Sequence, residues 1–105
     1  MRQTKRRPLT VGYVLKNKFL DPLNLTAKQL SEAMDVNRNT VSRILHDRQV
    51  LTAPMAIKLG VALNTSPEFW LNIQYAVELW DIRNGKLSEH SAGVECLHDL
   101  VVSPV

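Results

Sequence analysis

The chain has 105 residues, 45% of them hydrophobic and 22% charged, which fits one domain with a modest core. Its apolar runs are too short to cross a bilayer, and a single cysteine, Cys96, excludes an internal disulfide framework. The basic N-terminus is followed by no apolar segment of the kind found in secretion signals. These features predict a cytoplasmic protein without a membrane segment.

Charge is distributed unevenly along the chain, although the formal net charge is only +3. Residues 1–25 carry six basic side chains against one acidic, residues 26–58 carry five against three, and residues 59–105 carry two against six. A basic end favours a polyanionic partner, whereas an acidic end favours something else. Solvated terminal segments would show the same charges, so charge alone leaves both interpretations open.

The first segment in chain order is a basic arm over residues 1–8. Its charged residues are Arg2, Lys5, Arg6 and Arg7. No apolar side chain among them offers an anchor, so the arm is expected to be flexible in the free protein. It could close on DNA phosphates or on a protein partner.

Residues 9–83 are predicted to form five helices, because no long stretch alternates apolar and polar residues as a half-buried strand would. The first helix spans about residues 10–20 and is expected to stop at Pro22. Its inward side chains are predicted to be Val11, Val14, Leu15 and Phe19.

The second and third helices are short and closely spaced. Thr26 and Gln29 form the pattern of a capping box at the start of the second helix. Its predicted buried residues are Leu30, Ala33 and Met34. A turn over residues 35–37 follows, and Asn37 is expected to cap the third helix.

The fourth helix is predicted to begin near Thr52, with Pro54 in its first turn, where a missing N–H costs nothing. Ser66 then caps a fifth helix that reaches about Arg83. Residues 84–105 are mixed in character, and they fit either a short terminal strand or a frayed tail.

Residues 26–47 have the layout of a DNA-binding helix-turn-helix, in which two short helices flank a tight turn. Ser31 supplies the small residue needed where the helices cross. Asp35 stands where a glycine is usual, and aspartate tolerates the left-handed backbone expected there. The residues expected in the contact between the helices and the core are Leu30, Met34, Val36, Val41 and Ile44.

The polar face of the third helix carries side chains that suit DNA. Arginine offers a fork that matches guanine O6 and N7, and asparagine offers one that matches adenine N6 and N7. The predicted DNA contacts are Asn37, Arg38, Asn39, Thr40, Ser42 and Arg43, with Lys28 and Arg48 flanking them on phosphates. The competing interpretation is a generic helical bundle with a polar outer face.

The fifth helix carries more apolar surface than one small domain needs, since ten of the fourteen residues from Phe69 to Ile82 are apolar. We therefore predict a homodimer through this helix. The predicted interface residues are Phe69, Trp70, Tyr75, Leu79 and Trp80. The alternative is a central helix that is buried on all sides within the monomer.

An enzyme is not expected. His90, Cys96 and His98 have a spacing that fits no common zinc pattern, and no catalytic arrangement can be placed on one face. The sequence therefore predicts no metal site and no cofactor. A pure protein-interaction module that uses only the fifth helix and the acidic half stays open as a rival to DNA binding.

Two sequence motifs, "RNTVSRIL" at 38–45 and "SPEFWLNIQ" at 66–74, together with an N-terminal Pro8 and Gly12, carry a family resemblance. Over residues 8–83 the chain resembles the phage-repressor-like (Xre) helix-turn-helix proteins, and more narrowly the HigA antitoxins. It departs from them at Asp35 and in "HDRQVLT", which replaces a more typical asparagine-glycine turn. These departures bear on the path of the loop and not on the fold.

The resemblance implies an all-α, five-helix lambda-repressor-like domain. It also implies a homodimeric repressor of a palindromic operator in its own operon, and an antitoxin for a HigB-type mRNA-cleaving toxin. A phage-type transcriptional regulator without a toxin partner shares the same DNA chemistry and remains the alternative. The DNA contacts carried over are Asn37, Arg38, Asn39, Thr40 and Arg43.

Overall fold

A computed structural model describes residues 6–86 and residue 97 of the chain. These residues form five helical units and include no strand, which confirms the all-α prediction. Helix α1 joins Val11–Val14, a π-helical stretch Leu15–Leu20 and Asp21–Leu23; α2 is Ala27–Met34, α3 is Arg38–Leu45, α4 is Ala53–Leu63, and α5 is Pro67–Asp81 with a π-helical extension Ile82–Lys86. Within this part of the chain, no helix is both long enough and apolar enough to span a membrane.

The helix starts lie where the polar caps predict them. Thr26 and Gln29 form a reciprocal capping box, with the Gln29 N–H donating to Thr26 Oγ1 at 3.1 Å and the Thr26 N–H donating to Gln29 Oε1 at 2.9 Å. The other side-chain caps are Thr10, Asn37, Thr52 and Ser66. Each satisfies an N–H that the first helical turn leaves unpaired.

Helix α1 runs to Leu23 and not to about Leu20, so Pro22 does not stop it. A π-helical stretch precedes the proline, and the Asp21 N–H donates to the carbonyl of Lys16, five residues back. In an α-helix the ring of a proline clashes with the carbonyl four residues earlier. The wider π-helical turn changes the hydrogen bonding at this point, which lets the helix continue through Pro22. The helix ends at Asn24 in a left-handed conformation.

The core lies where the five helices meet. Val11, Val14 and Leu15 are buried as predicted, and Phe19 is half-buried. In α2 the prediction is confirmed for Leu30 and Met34 but wrong for Ala33, which is exposed. The core-facing positions of α2 include Ser31 instead. The whole buried apolar cluster is Val11, Val14, Leu15, Leu20, Leu30, Met34, Val41, Ile44, Leu51, Leu59 and Trp70.

The C-terminal tail lies almost entirely outside the described residues. The strand or frayed end foreseen for it is therefore a prediction for residues 87–96 and 98–105. The metal-ligand candidates His90, Cys96 and His98 also fall there. Among the described residues, no three His, Cys, Asp or Glu side chains are grouped to hold a metal ion.

Candidate nucleic-acid interface

The turn between α2 and α3 sets the angle between the two helices. Asp35 has a left-handed backbone with φ of 57°, as the sequence predicts. Its N–H donates to the Glu32 carbonyl at 3.2 Å, and the Val36 N–H donates to the Ser31 carbonyl at 3.0 Å. These two bonds close the C-terminus of α2 in a Schellman arrangement, so the chain turns at once into the next helix.

Ser31 is the only buried polar residue of the described part of the chain, with 4% exposure. Its hydroxyl donates to the Lys28 carbonyl at 2.7 Å, so burial leaves no unpaired donor. Helices α2 and α3 pack on each other, and Ser31 is a small buried residue of α2 between Leu30 and Met34. A small buried residue in the first helix of the pair suits the packing of a helix-turn-helix.

One side of α3 is fixed in the core and the opposite side is open. Val41 and Ile44 have 0% and 2% exposure, whereas Arg38, Asn39 and Arg43 are exposed. Ser42 lies between these exposed residues and is half-buried. We call Arg38, Asn39, Ser42 and Arg43 the reading face.

The remaining predicted DNA contacts surround the reading face. Asn37 caps α3 with its Oδ1, which accepts from the Asn39 N–H at 2.7 Å, so the cap uses the amide oxygen and not the N–H₂. Thr40 is half-buried at the edge of the face, whereas Lys28 in α2 and Arg48 beyond α3 are exposed. The eight predicted residues thus lie on α2, on α3 and in the turns before and after α3, and their contacts with DNA stay predictions.

The end of α3 is built around Asp47. This residue has φ of 56°, and the Arg48 N–H donates to the Arg43 carbonyl at 2.8 Å, which closes the helix. The Asp47 carboxylate accepts from the Gly12 N–H at 2.9 Å and so ties α1 to the end of α3. Gly12, which supplies this N–H, lies inside the first turn of α1.

Two glutamines that the sequence analysis missed hold the loop after α3. Arg43 Nε donates to Gln49 Oε1 at 2.8 Å. Gln74 in α5 accepts from the Leu51 N–H at 2.6 Å and donates to the Leu51 carbonyl at 3.0 Å. A polar residue at Gln74, within the apolar run of α5, was the one signal that could have revealed this link.

The predicted dimer surface on α5 needs one correction. Trp70 has 0% exposure, so it belongs to the monomer core and cannot cross an interface in this fold. Its indole N–H donates to Thr65 Oγ1 at 2.7 Å, and its ring lies 5.1 Å from that of Phe19 and 4.9 Å from that of Phe69. Helix α1 covers this side of α5, which the count of apolar residues could not show.

The other predicted interface residues remain accessible. Phe69, Tyr75 and Leu79 are 40%, 51% and 49% exposed, and Trp80 is half-buried. Tyr75 also lines a groove of about 990 Å³ between α5 and the loop after α3. Arg48 and Gln49 of that loop line the same groove. Exposed apolar surface on α5 therefore adjoins the loop that follows the reading face.

The basic arm is attached at its last arginine. Arg7 donates from Nε and Nη2 to the two carboxylate oxygens of Asp81, each at 2.8 Å. This hydrogen bonding raises the pKa of Arg7, with smaller contributions from attraction to Asp81 and Asp47. The sequence offered no anchor for the arm, and the ion pair provides one at Arg7; residues 1–5 lie outside the described range.

The pair α2 and α3, with its left-handed turn, its small buried Ser31 and its open polar face, defines a helix-turn-helix protein. The helix-turn-helix family HTH_3 matches residues 15–70. Antitoxin HigA-1 of Vibrio cholerae is 62% identical over 84 residues, which cover 80% of this chain and 79% of that protein. The chain belongs to the HigA antitoxins of the Xre helix-turn-helix family.

Solved structures agree with this placement. The antitoxin HigA of Pseudomonas aeruginosa with the higBA promoter has a TM-score of 0.72 at 34% identity, over 87% of this chain and 99% of that one. The antitoxin GraA in complex with its operator has a TM-score of 0.79 at 33% identity, over 92% and 98% of the two chains. The prediction of a lambda-repressor-like fold is confirmed.

Proposed function

We propose that this chain is an antitoxin that binds a palindromic operator of its own operon as a homodimer and represses transcription. We also propose that it neutralises a HigB-type mRNA-cleaving toxin. The observation that carries the DNA part is the reading face: exposed Arg38, Asn39 and Arg43 on a helix whose other side is buried. The solved complexes of related antitoxins with operator or promoter DNA support the same activity.

The reading face has the chemistry to discriminate between base pairs. Arg38 and Arg43 can each present a bidentate fork to guanine, and Asn39 can bind adenine through N6 and N7. Lys28 and Arg48 are exposed beside it and suit phosphates, which set position without reading sequence. The bases are read from α3, and the flanking cations supply affinity that weakens with salt.

A homodimer accounts for the exposed apolar side chains of α5. Phe69, Tyr75 and Leu79 are each 40% or more exposed, which is costly for a monomer when they lie on one helix. Helix-turn-helix dimers bind two half-sites about one helical turn of DNA apart, roughly 34 Å, with one recognition helix in each. Such an arrangement matches a palindromic operator.

A gel shift with the promoter fragment of the chain's own operon tests the DNA activity. Binding is measured at two salt concentrations against a scrambled fragment of equal length and base composition. We expect specific retention of the promoter fragment and weaker binding at high salt. Equal affinity for both fragments would refute sequence-specific binding, and no binding to either fragment would favour a protein-interaction module.

The toxin part is tested by co-expression with the adjacent open reading frame, followed by pull-down and an mRNA-cleavage assay. We expect a co-purified protein whose ribonuclease activity is suppressed while the complex is intact. If no partner co-purifies and the adjacent product cleaves no RNA, the chain acts as a phage-type regulator without a toxin. The gel shift is independent of this result.

A further inference from the structure

The hydrogen bond between Arg43 and Gln49 holds one of the two arginines of the reading face. A guanidinium has five N–H donors, and Arg43 donates its Nε–H to Gln49 Oε1 at 2.8 Å. This contact leaves the terminal nitrogens to form the fork that guanine O6 and N7 accept. The long, exposed side chain of Arg43 is thereby held at its Nε, and its two terminal nitrogens take no part in this contact.

Gln49 is well placed to hold Arg43 because its own backbone is fixed on both sides. The preceding residue, Arg48, donates its N–H to the Arg43 carbonyl at 2.8 Å. Two residues later, Leu51 is 3% exposed and is hydrogen-bonded through both its N–H and its carbonyl by Gln74. The loop between α3 and α4 is therefore held to the end of α3 at Arg48 and to α5 at Leu51, and Gln49 is half-buried between these two points.

We propose that Gln49 is a positioning residue for base recognition: it orients Arg43 toward a guanine in the operator without reading a base itself. This inference rests on the proposed DNA-binding function. An arginine that is ordered before binding loses less rotamer freedom when it meets its base, and it penalises a wrong base more strongly because it cannot swing aside. Discrimination at one base pair thus depends on a residue outside α3.

The test is a double-mutant cycle on operator binding. Dissociation constants are measured for the parent, Gln49→Ala, Arg43→Ala and the double variant, on the operator and on operators with single base-pair changes. We expect Gln49→Ala to weaken operator binding by about 3- to 10-fold, the range of one hydrogen bond, and to reduce discrimination at the base pair affected by Arg43→Ala. In the Arg43→Ala background, Gln49→Ala should add nothing.

Gln49→Glu separates positioning from direct contact. A carboxylate still accepts from Arg43 Nε, so discrimination at the Arg43 base pair should persist although the added negative charge weakens binding to all sequences. A direct base contact through the Gln49 amide would instead change the preferred base. Val50→Ala, at a 71% exposed neighbour, serves as the control for changes in the loop.

Each outcome has a defined meaning. If Gln49→Ala weakens binding equally with and without Arg43, or leaves discrimination at the Arg43 base pair unchanged, the positioning role is wrong. Thermal unfolding of Gln49→Ala must match the parent, because a general loss of stability would lower binding to all sequences alike. If the parent itself does not distinguish operator from scrambled DNA, the proposed function fails, and that result is visible before any variant is measured.

Discussion

At the scale of single residues, Asp47 combines two roles that glycine, the usual residue in such a turn, cannot combine. It adopts a left-handed backbone with φ of 56°, and its carboxylate accepts the Gly12 N–H at 2.9 Å. Aspartate tolerates this conformation better than most residues, and the side-chain bond offsets the remaining cost. Asp47 therefore closes the end of α3 and links that helix to α1 through one side chain.

Gly12→Ala should break this link. A Cβ at this position would meet the carbonyl oxygen of Leu45, and would lie 2.8 Å from that of Ile44 and 2.9 Å from Asp47 Oδ1. The two carbonyl oxygens can move only together with the end of α3, so we expect a loss of roughly 1–3 kcal/mol in the free energy of unfolding. Urea denaturation followed by circular dichroism measures it.

Gly85→Ala is the matched control, since nothing lies within 4 Å of a Cβ there. It should change the free energy of unfolding by no more than about 0.5 kcal/mol. Equal urea midpoints for the two variants would contradict the close approach of α1 and α3.

Arg43→Ala tests the reading face directly. The substitution should cost about 1–3 kcal/mol of operator binding and relax selectivity at one base position in each half-site. Arg38→Ala should act similarly at a different base, whereas Lys28→Ala should weaken binding to all sequences uniformly. Competition gel shifts with base-substituted operators distinguish these patterns, and unchanged affinity would remove Arg43 from the reading face.

At the scale of elements, α5 has one side in the core and another in solvent. Trp70→Ala removes a fully buried ring, so we expect a loss of about 3–5 kcal/mol in the free energy of unfolding. Tyr75→Ala, at a half-exposed position of the same helix, should cost far less. Both are measured by urea denaturation at one protein concentration, because dimerisation makes stability depend on concentration. Similar losses would contradict this division of α5.

The helix starts could be predicted from sequence because their signals are local. Thr26 and Gln29 are three residues apart, and Asn37 caps an N–H two residues ahead. The contacts that the sequence analysis missed join distant residues: Gly12 with Asp47, and Leu51 with Gln74. Helical periodicity ranks apolar faces but does not show which of them another helix covers.

The same difference separates the parts of the candidate site. The exposed residues of α3 follow from its periodicity, because Val41 and Ile44 fix which side is buried. Trp70 was misassigned because its burial depends on the packing of α1 over α5, which the sequence does not encode locally. Gln49 went unnoticed because a lone glutamine in a loop carries no signal until its partner is known.

At the scale of the whole molecule, the arm and α5 meet through the ion pair of Arg7 and Asp81. Both side chains are nearly half-exposed, so the pair contributes little to stability, about 0–1 kcal/mol. It does place the start of the arm beside α5. Deleting residues 2–7 should flatten the salt dependence of operator binding if the arm meets phosphates.

Asp81→Asn is the control for the arm deletion, because it weakens the ion pair and keeps all the basic charges. It should leave the salt dependence close to that of the parent, as measured by gel shifts over a salt series. An unchanged slope after the deletion would mean that the arm does not contact phosphates in the complex.

The dimer prediction concerns how two reading faces act together. One reading face makes only a few contacts and binds a short site weakly, and a rigid two-fold contact through α5 lets two faces bind at once.

Leu79→Glu tests this contact. Leu79 is 49% exposed, so the variant should leave the monomer folded, place a charge in the apolar contact and abolish dimerisation. Sedimentation measures the oligomeric state, circular dichroism the helix content and a gel shift the operator affinity. We expect a folded monomer whose specific binding falls far more than its helix content.

Two outcomes would contradict this prediction. The dimer is refuted if the parent protein is already monomeric at roughly tens of micromolar and still binds its operator tightly, because that concentration is far above typical specific dissociation constants. Unfolding of Leu79→Glu would refute the assignment of Leu79 to the interface, and Tyr75→Glu would then test the neighbouring exposed position.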